Sequence, residues 1–303
     1  MAVVDKFDVT GLGSLAVDFI GNIEHWPEPG TKNPFTDFDI FDGGLTGTAL
    51  TAVSRMGGKA SFIGKLGKSG MAKRAAKALE NEGIDLSNLI NDNISEPIIA
   101  FVLSGYLNGE RNIFFQKKNL NFPYPEEITD KYWYKRTKLF FTDHVAGEAG
   151  VLAARIAKKN DLEIVIDIER IQDESIELLE LANHIVVSEG FAKLYSGSDS
   201  HMDQIKSLRK NNHQDIVITL GEKGCIVKSA EELLKVEGLI VDVIDTTGCG
   251  DTFHGIYALE ISKGKNPFYA AKIANIAAAQ CATERGARTA IPYLTSKEGK
   301  NIE

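Results

Sequence analysis

The stretch Asp245-Thr246-Thr247-Gly248-Cys249-Gly250-Asp251-Thr252-Phe253-His254-Gly255 carries the densest chemistry in the chain. It follows an apolar, β-branched run at 238–244 and opens a segment in which Phe253, Ile256, Tyr257 and Leu259 recur at helical spacing. The glycines therefore mark a joint between a strand and a helix. The first amides of a helix have no intrahelical acceptor and the helix dipole adds partial positive charge, so Gly248, Cys249 and Gly250 make a cradle for an anion without any lysine. Asp251, directly after the cradle, would repel a bound phosphate if it served only as an ordinary helix cap. A carboxylate there suits a base that takes the proton from an attacking hydroxyl. Amides that hold developing charge and one positioned base are what phosphoryl transfer to an alcohol requires.

Two neighbours of that base carry expectations of their own. A helix N-terminus lowers a thiol pKa, which predicts that Cys249 makes activity sensitive to oxidants. His254 lies one turn into the helix, where a bond to a neighbouring loop is the ordinary reading of a helix-face histidine. The remaining cysteines, Cys225 and Cys281, read as small apolar fillers. Three cysteines are an odd number and too few for a disulfide framework, which suits a reducing compartment. His25, His184, His201 and His213 show no metal-ligand spacing.

The elements that must position these groups alternate along the chain. Strands are expected at 162–168, 184–187, 215–220 and 239–244, with helices at 148–159, 173–182 and 202–211 between them. Crossovers of that length predict an α/β fold, with a mainly parallel twisted sheet covered by helices on both faces. Two segments break the rhythm. Residues 98–103 and 112–115 flank Asn108-Gly109, a type I′ turn signal, and 15–23 and 35–41 flank Pro27, Pro29 and Gly30. Both predict antiparallel hairpins, which together would make a small β-sheet lid. Closure of such a lid would exclude water from the phosphoryl group and align the hydroxyl.

Asp245 to Phe253 resembles the C-terminal signature of the ribokinase-like (PfkB) carbohydrate kinases, usually Asp-Thr-x-Gly-Ala-Gly-Asp-x-Phe, and the resemblance extends along nearly the whole chain. It implies one ribokinase-like domain over 1–303, with a lid from about 14–41 and 97–117, and ATP with Mg2+ as cofactors. It makes Asp251 the catalytic base and Gly248, Cys249 and Gly250 the anion hole. Phe7 to Ser14 followed by Asp18 resembles the family's first strand and sugar-binding aspartate. Gly43-Gly44-Leu45-Thr46-Gly47-Thr48 resembles the glycine pair and helix start that normally ends in asparagine, so Thr48 is a departure. His144 falls where relatives place substrate-side residues.

Residues 57–67 and the following helix are similar to the N-terminal signature, with Lys68 and Ser69 replacing its acidic residues. On the nucleotide side the resemblance implies Thr219, Gly221, Gly224 and Asn275. Glu189 stands near the place of an Asn-x-x-Glu metal motif, with Ser188 in the asparagine position. Asp245 and Thr247 with the Gly286 region are similar to a monovalent-cation site, which leaves K+ as a further cofactor. Lids of this family often pair between subunits, which implies a homodimer. The triplet Phe253-His254-Gly255 and the segment Arg285 to Pro292 look closest to the ketose and sulfosugar kinase branch, where Lys32 matches an anion-binding lysine. Its other anion contacts become Phe115 or Gln116 and Val145, which favours a neutral sugar.

Composition narrows the alternatives. A net charge of −8 argues against a general nucleic-acid binder. No apolar run approaches the length of a membrane span, and no signal-peptide pattern opens the chain, so a cytoplasmic protein without membrane partners is expected. Gly67-Lys68-Ser69 is no Walker loop, because Phe62 stands where that motif needs glycine. The sequence thus predicts an ATP-dependent kinase of a small sugar. The rivals are a nucleoside kinase, with Phe19, Trp26 or Phe101 as a platform for the base, and a sugar- or nucleotide-sensing protein that no longer turns over.

Overall fold

The computed structural model describes residues 6–105 and 111–294. Its strands are β1 (Phe7–Leu12), β2 (Ala16–Ile23), β3 (Thr36–Gly43), β4 (Ala60–Leu66), β5 (Asp85–Asn91), β6 (Ile98–Gly105), β7 (Arg111–Gln116), β8 (Thr137–Asp143), β9 (Glu163–Asp167), β10 (His184–Ser188), β11 (Asp215–Thr219), β12 (Cys225–Ser229) and β13 (Glu232–Val236). The helices are α1 (Leu45–Arg55), α2 (Gly70–Asn81), α3 (Pro125–Thr129), α4 (Gly147–Lys159), α5 (Asp173–Leu181), α6 (Glu189–Ser196), α7 (His201–Leu208), α8 (Cys249–Ser262) and α9 (Pro267–Cys281).

The central strands are continuous β-branched runs because both of their faces are covered. Along β9, β10 and β11, Val165, Val186 and Val217 point into one core with Leu50 of α1, Ile256 of α8 and Ala274 of α9. Their neighbours Ile164, Ile166, Ile185, Val187, Ile216 and Ile218 point into the other, against Ala153 of α4, Leu178 of α5 and Leu208 of α7. Strand alternation therefore divides one sheet between two helical layers.

The nine-stranded sheet runs β13-β12-β11-β10-β9-β8-β1-β4-β5. Pairing is parallel from β11 through to β5, and antiparallel where β12 and β13 extend the far edge. Strand order reverses at β1, which has β8 on one side and β4 on the other. The crevice beyond the carboxyl ends of the strands at such a reversal is where open α/β sheets bind ligands.

A four-stranded sheet, β3-β2-β6-β7, stands apart from the first. Both expected hairpins are present in it, with Asp18 opposite Phe41 and Phe101 opposite Phe114. Asn108 and Gly109 lie outside the described residues. The two hairpins join through a parallel pairing of β2 with β6, which sets Asp18 beside Ala100 and Phe19 beside Phe101.

One expected strand is absent. Residues 239–244 are irregular, and Leu239, Ile240, Val243 and Ile244 are exposed. The edge position is already taken by β13, whose partner is β12. The chain then leaves the sheet and is held by Ile244 and Asp245 N–H groups, both donating to the Ala282 carbonyl at 2.8 and 3.2 Å. α8 thus starts from a loop and not from a strand.

α8 is apolar nearly all round and crosses α1 closely. A side chain at Gly255 would collide with the Ala49 carbonyl. Gly255→Ala is therefore expected to destabilise the fold by about 1–3 kcal/mol, the usual cost of overpacking, as a lowered urea midpoint with unchanged slope.

Candidate active site

The Asp143 carboxylate, fully buried at the end of β8, ties three segments into one corner. Its Oδ2 accepts from Ser14 N at 2.7 Å and Ser14 Oγ at 2.9 Å, just after β1, and from Thr46 N at 3.2 Å and Thr46 Oγ1 at 2.8 Å in α1. Its Oδ1 accepts from Val145 N at 2.9 Å and Ala146 N at 3.2 Å. A buried charge is tolerable only with such a complement of donors. The first turn of α1 is thereby set at the mouth of the strand reversal.

α8 enters the same corner. Gly248 caps it with φ 79°, a conformation that favours glycine, and a side chain there would strike the Ala287 backbone. The first intrahelical bond is Thr252 N–H to the Gly248 carbonyl at 2.8 Å. The amides of Cys249, Gly250 and Asp251 therefore precede the ladder; that of Cys249 reaches the Thr246 carbonyl at 3.3 Å. A Cβ built on Gly250 meets nothing within 4 Å, so the helix mouth is open. Exposed amides at a helix N-terminus attract anions such as a phosphate.

Asp251 is half-buried beside the cradle. Burial, then Asp167 and Glu169 at the end of β9, pushes its carboxyl well above the ordinary carboxylate range, while His254 pulls the other way. Asp167 is itself buried, and burial with Glu169 and Asp143 holds its carboxyl high. Cys249 departs from expectation. Its hydrogen bond with Cys281, its burial, and Asp245 and Asp251 push the thiol up, while the same contact pulls the Cys281 thiol down.

On the lid side, Asp18 is buried and faces Gly43, where an added side chain would overlap its carboxylate. Burial raises the Asp18 pKa to about 6 against the opposing pull of Arg288. Arg288 is a residue that motif reading passed over. Its guanidinium, pushed down to about 10 by burial, donates from Nη2 to the Gly43 carbonyl at 2.6 Å and from Nε to Thr48 Oγ1 at 3.4 Å. The family's usual asparagine is thus replaced by a threonine whose hydroxyl meets an arginine. The second arginine of Arg285-Gly286-Ala287-Arg288 was the available signal.

Gly44 is the N-terminal cap of α1. His144 is buried, its ring Nδ1 has no hydrogen-bond partner, and burial lowers its pKa, so the ring is neutral. Lys32 is exposed in the connection between β2 and β3. Phe115, on the Asp18 face of the lid, lies 5.7 Å below the Arg170 guanidinium just after β9. Phe19 and Phe101 stack at 4.9 Å on the opposite face, so alternation turns this pair away from Asp18. Trp26 is exposed in the same connection as Lys32.

The expected nucleotide side lies at the ends of β11 and β13. Thr219 Oγ1 reaches the Val187 carbonyl at 3.5 Å, and Gly221 and Gly224 make the turn to β12. Asn275 is buried in α9, its Nδ2 donating to the Glu237 carbonyl at 2.7 Å, so it fixes the loop that follows β13. Glu189 pairs with His201 Nε2 at 2.8 Å. Asp245 accepts from Thr247 N at 2.9 Å, Thr247 Oγ1 at 2.7 Å and Gly286 N at 3.0 Å, joining the two loops flanking the α8 mouth. Among the described residues no three carboxylate, histidine or cysteine side chains converge as a metal site, and no helix is long and apolar enough to cross a membrane.

An open helix mouth at the reversal of a parallel sheet, with a separate four-stranded β-sheet, is the arrangement of an α/β phosphotransferase. The chain belongs to the pfkB family of carbohydrate kinases, whose model matches residues 6–294. It is 27% identical over 295 residues to a ribokinase of Haemophilus influenzae, covering 94% of this chain and 95% of that one. It is 25% identical over 313 residues to fructokinase-2 of Oryza sativa subsp. japonica, covering 94% and 91%. Its fold matches the structure of Arabidopsis thaliana ribokinase complexed with ribose and ATP, with a TM-score of 0.82 at 19% identity, over 95% of this chain and 96% of that one. It is a sugar kinase, with an alcohol group as the phosphoryl acceptor.

The raised Asp18 pKa has a consequence for stability. Because the fold binds this proton more tightly than the unfolded chain, its stabilising effect is complete below about pH 4 and is lost as pH rises through about 6. Asp18→Asn is expected to raise stability by about 1–3 kcal/mol near pH 8 and not below about pH 4, as read from thermal melts at both values.

Proposed function

We propose that this kinase transfers the γ-phosphoryl group of ATP to a hydroxyl of a small neutral sugar, a ketose or an aldose of pentose or hexose size. The observation that carries the reading is Asp251, held beside open helix amides in the crevice where the sheet reverses. Asp18 would orient the acceptor by accepting from its hydroxyls, with Gly43, Gly44 and Thr48 forming the wall behind it and His144 offering its unpartnered nitrogen. Asp251 would take the hydroxyl proton, and the amides of Gly248, Cys249 and Gly250 would hold the charge that gathers on the migrating group. Thr219, Gly221 and Gly224 would border the nucleotide, with Asn275 supporting that wall through the Glu237 carbonyl.

Magnesium would arrive with ATP and rest mainly on phosphate oxygens and water, so Glu189 needs to reach only its water shell. The Asp245, Thr247 and Gly286 bridge is the place where a monovalent cation would act. Phe115 or Gln116 and Val145 would leave Lys32 without further anion contacts, which supports a neutral acceptor over an anionic one. The chain would work as one domain, with its lid built from segments within 14–41 and 97–117.

Two chains would pair through that lid. Phe101 and Phe114 lie side by side in the β6–β7 register and are exposed, with Phe38 and Ile40 exposed on β3 beyond β2 in the same sheet. Phe114→Lys is expected to shift the assembly from dimer to monomer in sedimentation equilibrium; a wild-type chain that sediments as a monomer would remove the pairing.

A panel of free sugars and nucleosides with Mg-ATP tests the reaction. Turnover on sugars is expected; turnover on nucleosides alone, or saturable binding without turnover, would overturn it. Asp251→Asn should lower kcat by about 10²–10⁴-fold with ATP binding retained, the usual scale for a general base. Because its pKa is raised, wild-type kcat should fall with decreasing pH at a point above the ordinary carboxylate value of about 4.

A further inference from the structure

We propose that His254 is a positioning residue for this reaction, a buried imidazolium that pins the mouth of α8 to β10 and holds fixed positive charge behind Asp251. Its Nδ1 lies 2.7 Å from the Gly250 carbonyl, and its Nε2 lies 2.9 Å from the Val186 carbonyl. Both partners are oxygens without a proton, so each nitrogen must donate, and an imidazole donates from both only when it carries two protons. The ring is 5% exposed, which leaves water little part in either bond. The Gly250 carbonyl belongs to the anion cradle itself, so the side chain folds back over its own helix and fixes that peptide's orientation.

The charges around the base explain what such a cation does. Asp251 faces Asp143 from β8, Asp167 and Glu169 from the end of β9, and Cys249 on α8; Arg288 also acts on it from the segment after α9. Three of these are carboxyl groups that resist ionisation of a fourth, and Asp167 Oδ2 is also 3.5 Å from His254 Nδ1. A cation fixed between Asp167 and the first turn of α8 favours the ionised form of Asp251, the form that accepts a proton. Its two carbonyl bonds keep it there when substrate enters. The inference rests on the reading of Asp251 as the base.

The test replaces the cation by a neutral donor and follows the pH dependence. In His254→Gln, the acid limb of kcat should move to higher pH by about one unit or more. Activity near neutral pH should then fall about tenfold and recover as the pH is raised, with KM for ATP within about twofold of wild type. A loss that is equal at every pH, or an unmoved limb, would overturn the inference and leave only a packing role. Asp167→Asn in the His254→Gln background should bring the limb part of the way back. If His254→Gln does not fold, nitrogen-15 spectra of the wild-type protein at the pH of maximal activity decide the matter. Two protonated ring nitrogens on His254 support the proposal, and one bare nitrogen removes it. Failure of the base reading is separable, since that reading alone predicts that Asp251→Asn loses about 10²–10⁴-fold in kcat at every pH.

Discussion

The geometry of this kinase depends on one buried charge with all of its lone pairs occupied. Asp143 accepts from Ser14 after β1, from Thr46 in α1 and from Val145 and Ala146 after β8. Those segments are far apart in sequence and have no reason of their own to meet. An ionised carboxylate without water must find donors, and here the donors are backbone and hydroxyl groups of the three segments that wall the crevice. Helix α8 is seated against this corner through α1, at a contact where only Gly255 leaves room for the Ala49 carbonyl. The location of Asp251 therefore follows from a packing contact and a hydrogen-bonded charge, both outside the motif that contains it.

The same corner is electrostatically costly. Asp143, Asp167 and Glu169 act on Asp251 at the ends of β8 and β9, and Asp42 and Asp245 act on Asp18. Against them stand the α8 mouth and Arg288. The raised pKa of Asp18 measures part of the imbalance, as a carboxylate that the fold would hold more easily as an acid. Such tension is expected where a site is shaped for ligands rather than for the stability of the empty protein. On the proposed reading, hydroxyl groups of a sugar would donate to Asp18 and relieve it, so substrate is expected to stabilise the protein as well as react.

The four-stranded sheet divides its side chains between two faces through the alternation of its strands. One register sets Asp18, Phe41, Ala100 and Phe115 on the face toward the crevice, and Phe19, Phe101, Phe114 and Ile40 on the other. A slip of a single residue in β2 would put Phe19 on the face that Asp18 now occupies. The parallel pairing of β2 with β6 locks that register, because it joins two hairpins that the sequence shows only as separate signals.

Much of this was legible in the chain itself. Helical spacing after Asp251, β-branched runs buried on two faces, and the glycines at the joint follow from local chemistry, since backbone preference and burial act on neighbouring residues. The same reasoning placed a strand at 239–244, which the structure leaves exposed, because apolarity does not say whether a sheet position is vacant; β13 had taken it. It also read Cys249 from the helix dipole alone, without the Cys281 contact and the nearby carboxylates that act on the thiol. Arg288 meeting Thr48, Asn275 holding the Glu237 carbonyl, and His254 spanning α8 and β10 were invisible to any spacing rule. Sequence determined which groups could hold a phosphate and take a proton, because those capacities belong to residue types and to the turn that carries them. Tertiary structure alone decided which charges surround those groups, because a pKa or a hydrogen bond depends on atoms brought within a few ångströms from distant parts of the chain.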